Sequence, residues 1–147
     1  MPAAGFRQES ELPMFRRISL LTLFAFVSVS LSAADRVRTG QWEVTSTSNG
    51  RARTFKNCVR ADEAAAANGD AKAGRAYNEK LLAGQCTFTD YKVEGTLVSS
   101  VMTCGKTTSR TTTTYHGDSF QSESKTKTGG APEVVSHVSA KRLGDCP

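Results

Sequence analysis

Few residues in this chain could do chemistry, and the sharpest candidate is Gly117-Asp118-Ser119-Phe120. A Gly-Asp-Ser motif can present a nucleophilic serine, which needs oxyanion donors and a histidine base within hydrogen-bond reach. The chain has two histidines, His116 and His137, and only His137 follows Ser119. It is preceded by Val134-Val135-Ser136 in a run of strand character rather than by an Asp-x-x-His element. Gly-Asp-Ser between Tyr115-His116 and Phe120 also has the composition of hairpin punctuation, and we read it as a turn. No His-x-His or His-Glu-x-x-His spacing occurs, so neither histidine belongs to a recognisable metal motif. His116 beside Gly117 reads as an exposed turn residue and His137 as a residue on a sheet face. Gly129-Gly130 lacks the Lys-Ser/Thr and the helix that a phosphate loop requires. The expectation is a non-enzyme with no catalytic, metal-binding or cofactor-binding residues.

The remaining reactive side chains are Cys58, Cys86, Cys104 and Cys146, separated by 27, 17 and 41 residues. No Cys-x-x-Cys occurs, so zinc and dithiol redox chemistry lack their usual spacing. An even count in a small exported domain points to two disulfides. Three pairings are possible; Cys58–Cys86 with Cys104–Cys146 is preferred, because it would close a helical insertion and tie the C-terminus to a strand end.

Such bonds need an oxidising compartment, and the N-terminus addresses that. Arg16-Arg17 precede an uncharged run from Ile18 to Ala34, which ends in Ser32-Ala33-Ala34 before Asp35. A basic start, a short apolar stretch and a small-x-small site form the secretory signal pattern. Residues 1–34 are thus expected to be an N-terminal extension and cleaved signal peptide, with translation starting at Met14 as an alternative. Residues 35–147 are the expected exported domain, in the periplasm or the medium, with no stable membrane insertion after processing. They carry 16 Lys+Arg against 12 Asp+Glu, a net charge of +4 spread along the chain rather than run together. That distribution argues against a nucleic-acid footprint and mildly favours anionic partners.

Within that domain the periodicity is mostly that of strands. Gly40–Thr45 alternates with Trp42 and Val44 on one face, and Arg53–Val59 follows a Ser/Asn/Gly turn. Asp62-Glu63 into an alanine run predicts a short helix. A second is predicted over 71–83, with Tyr77, Leu81 and Leu82 as its apolar stripe and Gly84 as its stop. Strands are then predicted over 86–93, 96–104, 107–115, 119–127 and 133–142. Six of the eight residues from Thr107 to Thr114 are threonine, which suits a pleated, half-wet surface with little core burial. The expected fold class is mainly β (α+β): one curled antiparallel sheet of about six or seven strands, a short helical insertion and two disulfides.

Gly40-Gln41-Trp42-Glu43-Val44, Cys58-x-x-x-x-Glu63-Ala64, Cys86, Cys104, Gly117-Asp118-Ser119-Phe120 and Gly144-Asp145-Cys146 occur in an order and spacing that span the exported part. Taken together they resemble a family of small exported proteobacterial proteins known as domain of unknown function 3617. The resemblance implies a shared fold and export, and it carries no activity and no functional residues with it. We therefore expect a non-catalytic monomer that binds a partner. The first expectation is an apolar or amphipathic (or anionic) envelope molecule held within the curl of the sheet. The alternative is a protein partner, as for an inhibitor or an envelope-assembly accessory, met by a loop or an exposed strand edge. A serine hydrolase is a distant third.

Overall fold

The computed structural model describes residues 35–147, so the expected signal peptide and its expected cleavage site lie outside the described residues. Seven strands form one antiparallel sheet: β1 (Gly40–Ser48), β2 (Arg51–Val59), β3 (Thr87–Glu94), β4 (Leu97–Cys104), β5 (Thr107–Tyr115), β6 (Ser119–Thr128) and β7 (Val134–Gly144). Their order is β2-β1-β7-β6-β5-β4-β3, and the two ends do not pair, so the sheet is open. It is built as a five-strand meander, β3 to β7, with the β1–β2 hairpin docked along β7. The hairpin turns on Asn49-Gly50, whose φ values of 49° and 72° match the twist of the strands they join.

Two helices, α1 (Ala61–Asn68) and α2 (Ala71–Leu81), connect β2 to β3, which are the opposite edges of the sheet. Six inter-strand spacings amount to roughly 29 Å, and helices of these lengths span roughly 12 and 16 Å. The insertion is therefore long enough to carry the chain across the sheet. α1 starts at Ala61, one residue before the expected Asp62, because the Glu63 carboxylate accepts the Arg60 backbone N–H at 2.9 Å. α2 is capped by Asp70, which accepts the Ala73 N–H at 2.8 Å.

The core gathers on one face. Trp42, fully enclosed, packs with Val37, Val44 and Ala140, and is flanked by Val59, Ala67, Tyr115, Phe120 and Val138. The Trp42 ring lies 5.8 Å from Phe120, and its indole N–H donates to the Arg38 carbonyl at 3.0 Å. Gly40 opens this strand at φ +137°, where a Cβ would collide with the Gly144 carbonyl oxygen, so the close β1–β7 approach requires glycine.

The apolar stripe expected on α2 forms only in part, with Tyr77 and Leu82 half-buried. Leu81 is 64% exposed, and the buried residue of the helix is Gly74, against which the Tyr91 ring of β3 packs. A Cβ at position 74 would lie 2.7 Å from Tyr91 Oη and 3.1 Å from its ring carbons. Gly→Ala in a helix ordinarily stabilises by about 1 kcal/mol. Here Gly74→Ala is expected to lower the thermal midpoint instead, and Gly74→Ala with Tyr91→Phe to recover part of the loss.

The disulfides are Cys58–Cys146 and Cys86–Cys104, not the preferred Cys58–Cys86 and Cys104–Cys146. The reason is the helical crossover. Cys58 ends the β2 edge, whereas Cys86 precedes β3 at the other edge, so the insertion cannot close on itself. Cys86 instead sits beside Cys104 at the open end of the β3–β4 hairpin, with Cα atoms 4.3 Å apart. The tail after β7 passes the start of β1 to bring Cys146 to Cys58 on β2.

Candidate functional site

The Gly-Asp-Ser segment forms the β5–β6 turn. Gly117 takes φ +78°, the Ser119 carbonyl accepts the His116 N–H at 2.8 Å, and the Asp118 carboxylate pairs with Arg38 at 3.0 Å. Asp118 is thus engaged with an arginine rather than a histidine. Ser119 stands opposite Lys141 on β7, four residues from His137, which is about 13 Å along the strand. His137 lies on the exposed face, its Nδ1 3.9 Å from Glu123, so the chain does not bring Ser119 and His137 together. Among the described residues no three His, Cys, Asp or Glu side chains gather as a cation site.

Three surface features remain. The first is a cleft of about 520 Å³ on the face opposite the core, where Thr45, Thr47, Thr112, Thr114, Gln121, Glu123, His137 and Ser139 meet from four strands. Apart from Val138 its side chains are hydrogen-bonding groups, without an aromatic platform. The second is a smaller cleft of about 240 Å³ on the core face, where Phe88, Tyr91, Val98, Met102 and Tyr115 meet Asn78, Ser100, Thr111 and Thr113. Here the threonine strand faces partly inward. Thr113 is buried and donates to Ser122 at 2.9 Å, Thr111 shares a bond with Ser124 at 3.0 Å, and Ser109 contacts both Ser124 and Thr126. These cross-strand pairs satisfy the hydroxyls among themselves, which lets a strand poor in apolar residues sit in the middle of a sheet. Burial pushes the Tyr115 hydroxyl above its usual pKa, with Tyr91 adding to the rise and Arg36 opposing it. The neutral phenol is therefore the form that folding favours. Its contribution is complete below the unfolded value of about 10 and is lost as the pH rises through the folded value. Absorbance titration of phenolate should show Tyr115 ionising later than free tyrosine, with stability falling only in that alkaline range.

The third feature is β2. Every residue from Arg51 to Cys58 is exposed, and Phe55 is 53% exposed although it faces the same side as Val44. Phe55 is exposed because, among the described residues, no strand lies beyond β2 to cover the ring.

Sequence reasoning missed the segment before Gly40 entirely. Arg36 is 7% exposed, and its guanidinium donates to the carbonyls of Ala67 at 2.7 Å, Gly95 at 2.9 Å and Gly69. It thereby caps the C-terminal end of α1 and ties it to the β3–β4 turn, where a cation also complements the helix dipole. Beside it the Asn68 amide pairs with both backbone groups of Val37, at 2.9 and 2.8 Å. No periodicity announces two such residues; a basic residue between an expected cleavage site and a strand looks like solvated chain. Arg36→Ala leaves three inward carbonyls short of their donor, and should cost more than about 2 kcal/mol in chemical denaturation.

Residues 37–146 match the family described as protein of unknown function DUF3617. The chain belongs to this family. The match begins at Val37 and ends at Cys146, so it takes in both disulfides and the whole sheet of this DUF3617 domain. No curated protein and no solved structure matches the chain. Among the described residues no helix is long and apolar enough to cross a membrane.

Proposed function

We propose that this DUF3617 protein works outside the cytoplasm, in the periplasm or the medium, as a non-catalytic interaction protein whose partner is another protein. The signal-like N-terminus and two disulfides support the compartment. The observation that carries the interaction reading is the contrast between the enclosed Trp42 cluster and the exposed surface beyond it, β2 above all. Trp42 is fully enclosed where a ligand-holding sheet would keep space, while the clefts are open and rich in Ser and Thr. Small-molecule sites are mostly apolar, concave and about 300–1,000 Å³. The larger cleft is lined mainly by hydrogen-bonding side chains beside Val138, and the aromatic-walled cleft adjoins a further one of about 150 Å³ through Asn78, Tyr91, Val98 and Tyr115.

A second reading keeps the expectation of an amphipathic envelope ligand and places it in the smaller cleft. Phe88, Tyr91, Val98 and Met102 would take an apolar part there, and Asn78, Ser100 and Thr113 a polar one. Native mass spectrometry of protein taken from its own periplasm separates the two. A co-purifying protein at defined stoichiometry is the expected result. A stoichiometric small molecule would favour the second reading and overturn the first. The same spectrum should show a chain beginning at or within a few residues of Asp35; full precursor in the membrane fraction would contradict export.

A further inference from the structure

We propose that the outer edge of β2 is a strand-docking site, which accepts an extended acidic segment of a partner protein by β-augmentation. The inference rests on the interaction reading above and names its surface and the chemistry of the partner.

The two edges of the sheet are treated differently. At the β3 edge α2 packs against the strand, the register shifts between Phe88 and Asp90, and Asp90, Lys92 and Glu94 place charge of both signs along it. Bulges, covering helices and charges are the usual means of stopping an edge from recruiting another strand. Among the described residues the β2 edge has neither bulge nor cover. It pairs with β1 at all nine positions from Arg51 to Val59 without a shift, and β1 is its single strand neighbour. Its outward backbone groups form a continuous row.

The edge is also held in shape. The Asn49-Gly50 turn fixes one end of β2, and the Cys58–Cys146 bond fixes the other. A strand extended before binding loses little conformational entropy when a partner adds to it. Disulfide and turn therefore do for this edge what a second neighbouring strand does for an interior one.

Its charge selects the partner. Arg51, Arg53 and Lys56 lie in the strand and Arg60 just after it, with no acidic residue from Arg51 to Ala61. Among the described residues none of these four cations makes an ion pair. A second copy of β2 would bring three cations against three, which disfavours self-pairing. In β-augmentation main-chain bonds supply affinity and pockets for alternate side chains supply specificity. Arg51, Arg53 and Phe55 alternate on one face, beside Ser48, Ser46 and Val44 of β1. The two arginines, with Ser46, Ser48 and Asn49, border a cleft of about 510 Å³. A docked strand would place two carboxylates on the arginines and one apolar side chain on Phe55, all at alternate positions.

The test uses the processed domain, residues 35–147, labelled with ¹⁵N. The first probe is a capped synthetic peptide with Val, Glu and Glu at three alternate positions and Thr between them. The second is the same peptide with Lys for Glu, and the third is phosphatidylglycerol vesicles. Saturable binding of the Glu peptide is expected, with shift changes confined to β2 and slowed exchange of its outward amides. Arg51→Glu with Arg53→Glu should weaken that binding at least tenfold and create binding of the Lys peptide, with an unchanged circular dichroism spectrum. No binding of the Glu peptide, equal binding of both peptides, or shift changes on another face would overturn the proposal. So would attachment to vesicles through Arg51 and Arg53 without peptide binding. Loss of peptide binding alongside a co-purifying protein would refute edge docking alone; a co-purifying small molecule would remove the interaction reading beneath it.

Discussion

Trp42→Ala is expected to be the most destabilising single truncation in the domain. The side chain is fully enclosed, it touches core residues from β1, β6 and β7, and its indole N–H holds the Arg38 carbonyl. Truncating a buried tryptophan costs about 3–5 kcal/mol through lost transfer energy and the cavity left behind. A domain of this size has about 5–15 kcal/mol in total, and the other enclosed side chains here are mostly small. Val37, Val44 and Ala140 cannot collapse far enough to fill an indole-sized hole. Urea titration followed by circular dichroism should show a midpoint well below that of the unaltered domain, whereas Phe55→Ala, at an exposed aromatic, should shift the midpoint little. Equal effects at the two positions would mean that the core is not where the Trp42 cluster puts it.

Removing Cys58–Cys146 is expected to cost more than removing Cys86–Cys104. The first bond joins residues 88 apart and the second residues 18 apart. In the chain-entropy account these loops correspond to about 4.6 and about 3 kcal/mol. The long bond also does a job in the fold that the short one does not. It ties the C-terminal tail to an edge strand with one neighbour, while Cys86–Cys104 staples two strands already joined by a two-residue turn. Cys58→Ser with Cys146→Ser should therefore both lower the denaturation midpoint and speed amide exchange in β2. Cys86→Ser with Cys104→Ser should lower the midpoint by less and leave β2 protected. The reverse order of midpoints would contradict the covalent arrangement.

How far the sequence could be read depends on whether its signals are local. Alternation, Asn-Gly and Gly-x turns are local, and the seven strands lie within a few residues of where the pattern places them, with the helices after the second. Cysteine pairing is not local. It depends on which edges the helices join, and nothing in Asp62–Ala83 says that they cross the sheet. For the same reason the sequence leaves the burial of Phe55 open: an aromatic between β-type residues has the same pattern whether or not a further strand covers it. Arg36 and Gly74 were invisible because each matters through one distant partner, the α1 carbonyls in one case and the Tyr91 ring in the other. The threonine strand was half legible. Its composition told of a wet surface, and the cross-strand hydroxyl pairs that let one side of it turn inward needed the register to be known.

The account turns on β2 being ordered and uncovered at once, and residue-resolved amide exchange of the oxidised domain measures both. Antiparallel pairing on one side directs alternate amides of Arg51–Val59 to β1 and the others to solvent. The expected result is alternation along β2: slow exchange at the inward amides, fast exchange at the outward ones, and alternate slow positions lost when Cys58–Cys146 is reduced. Uniformly fast exchange would mean a frayed edge that presents no template. Uniformly slow exchange would mean an edge already covered, and either result would contradict a preformed docking strand.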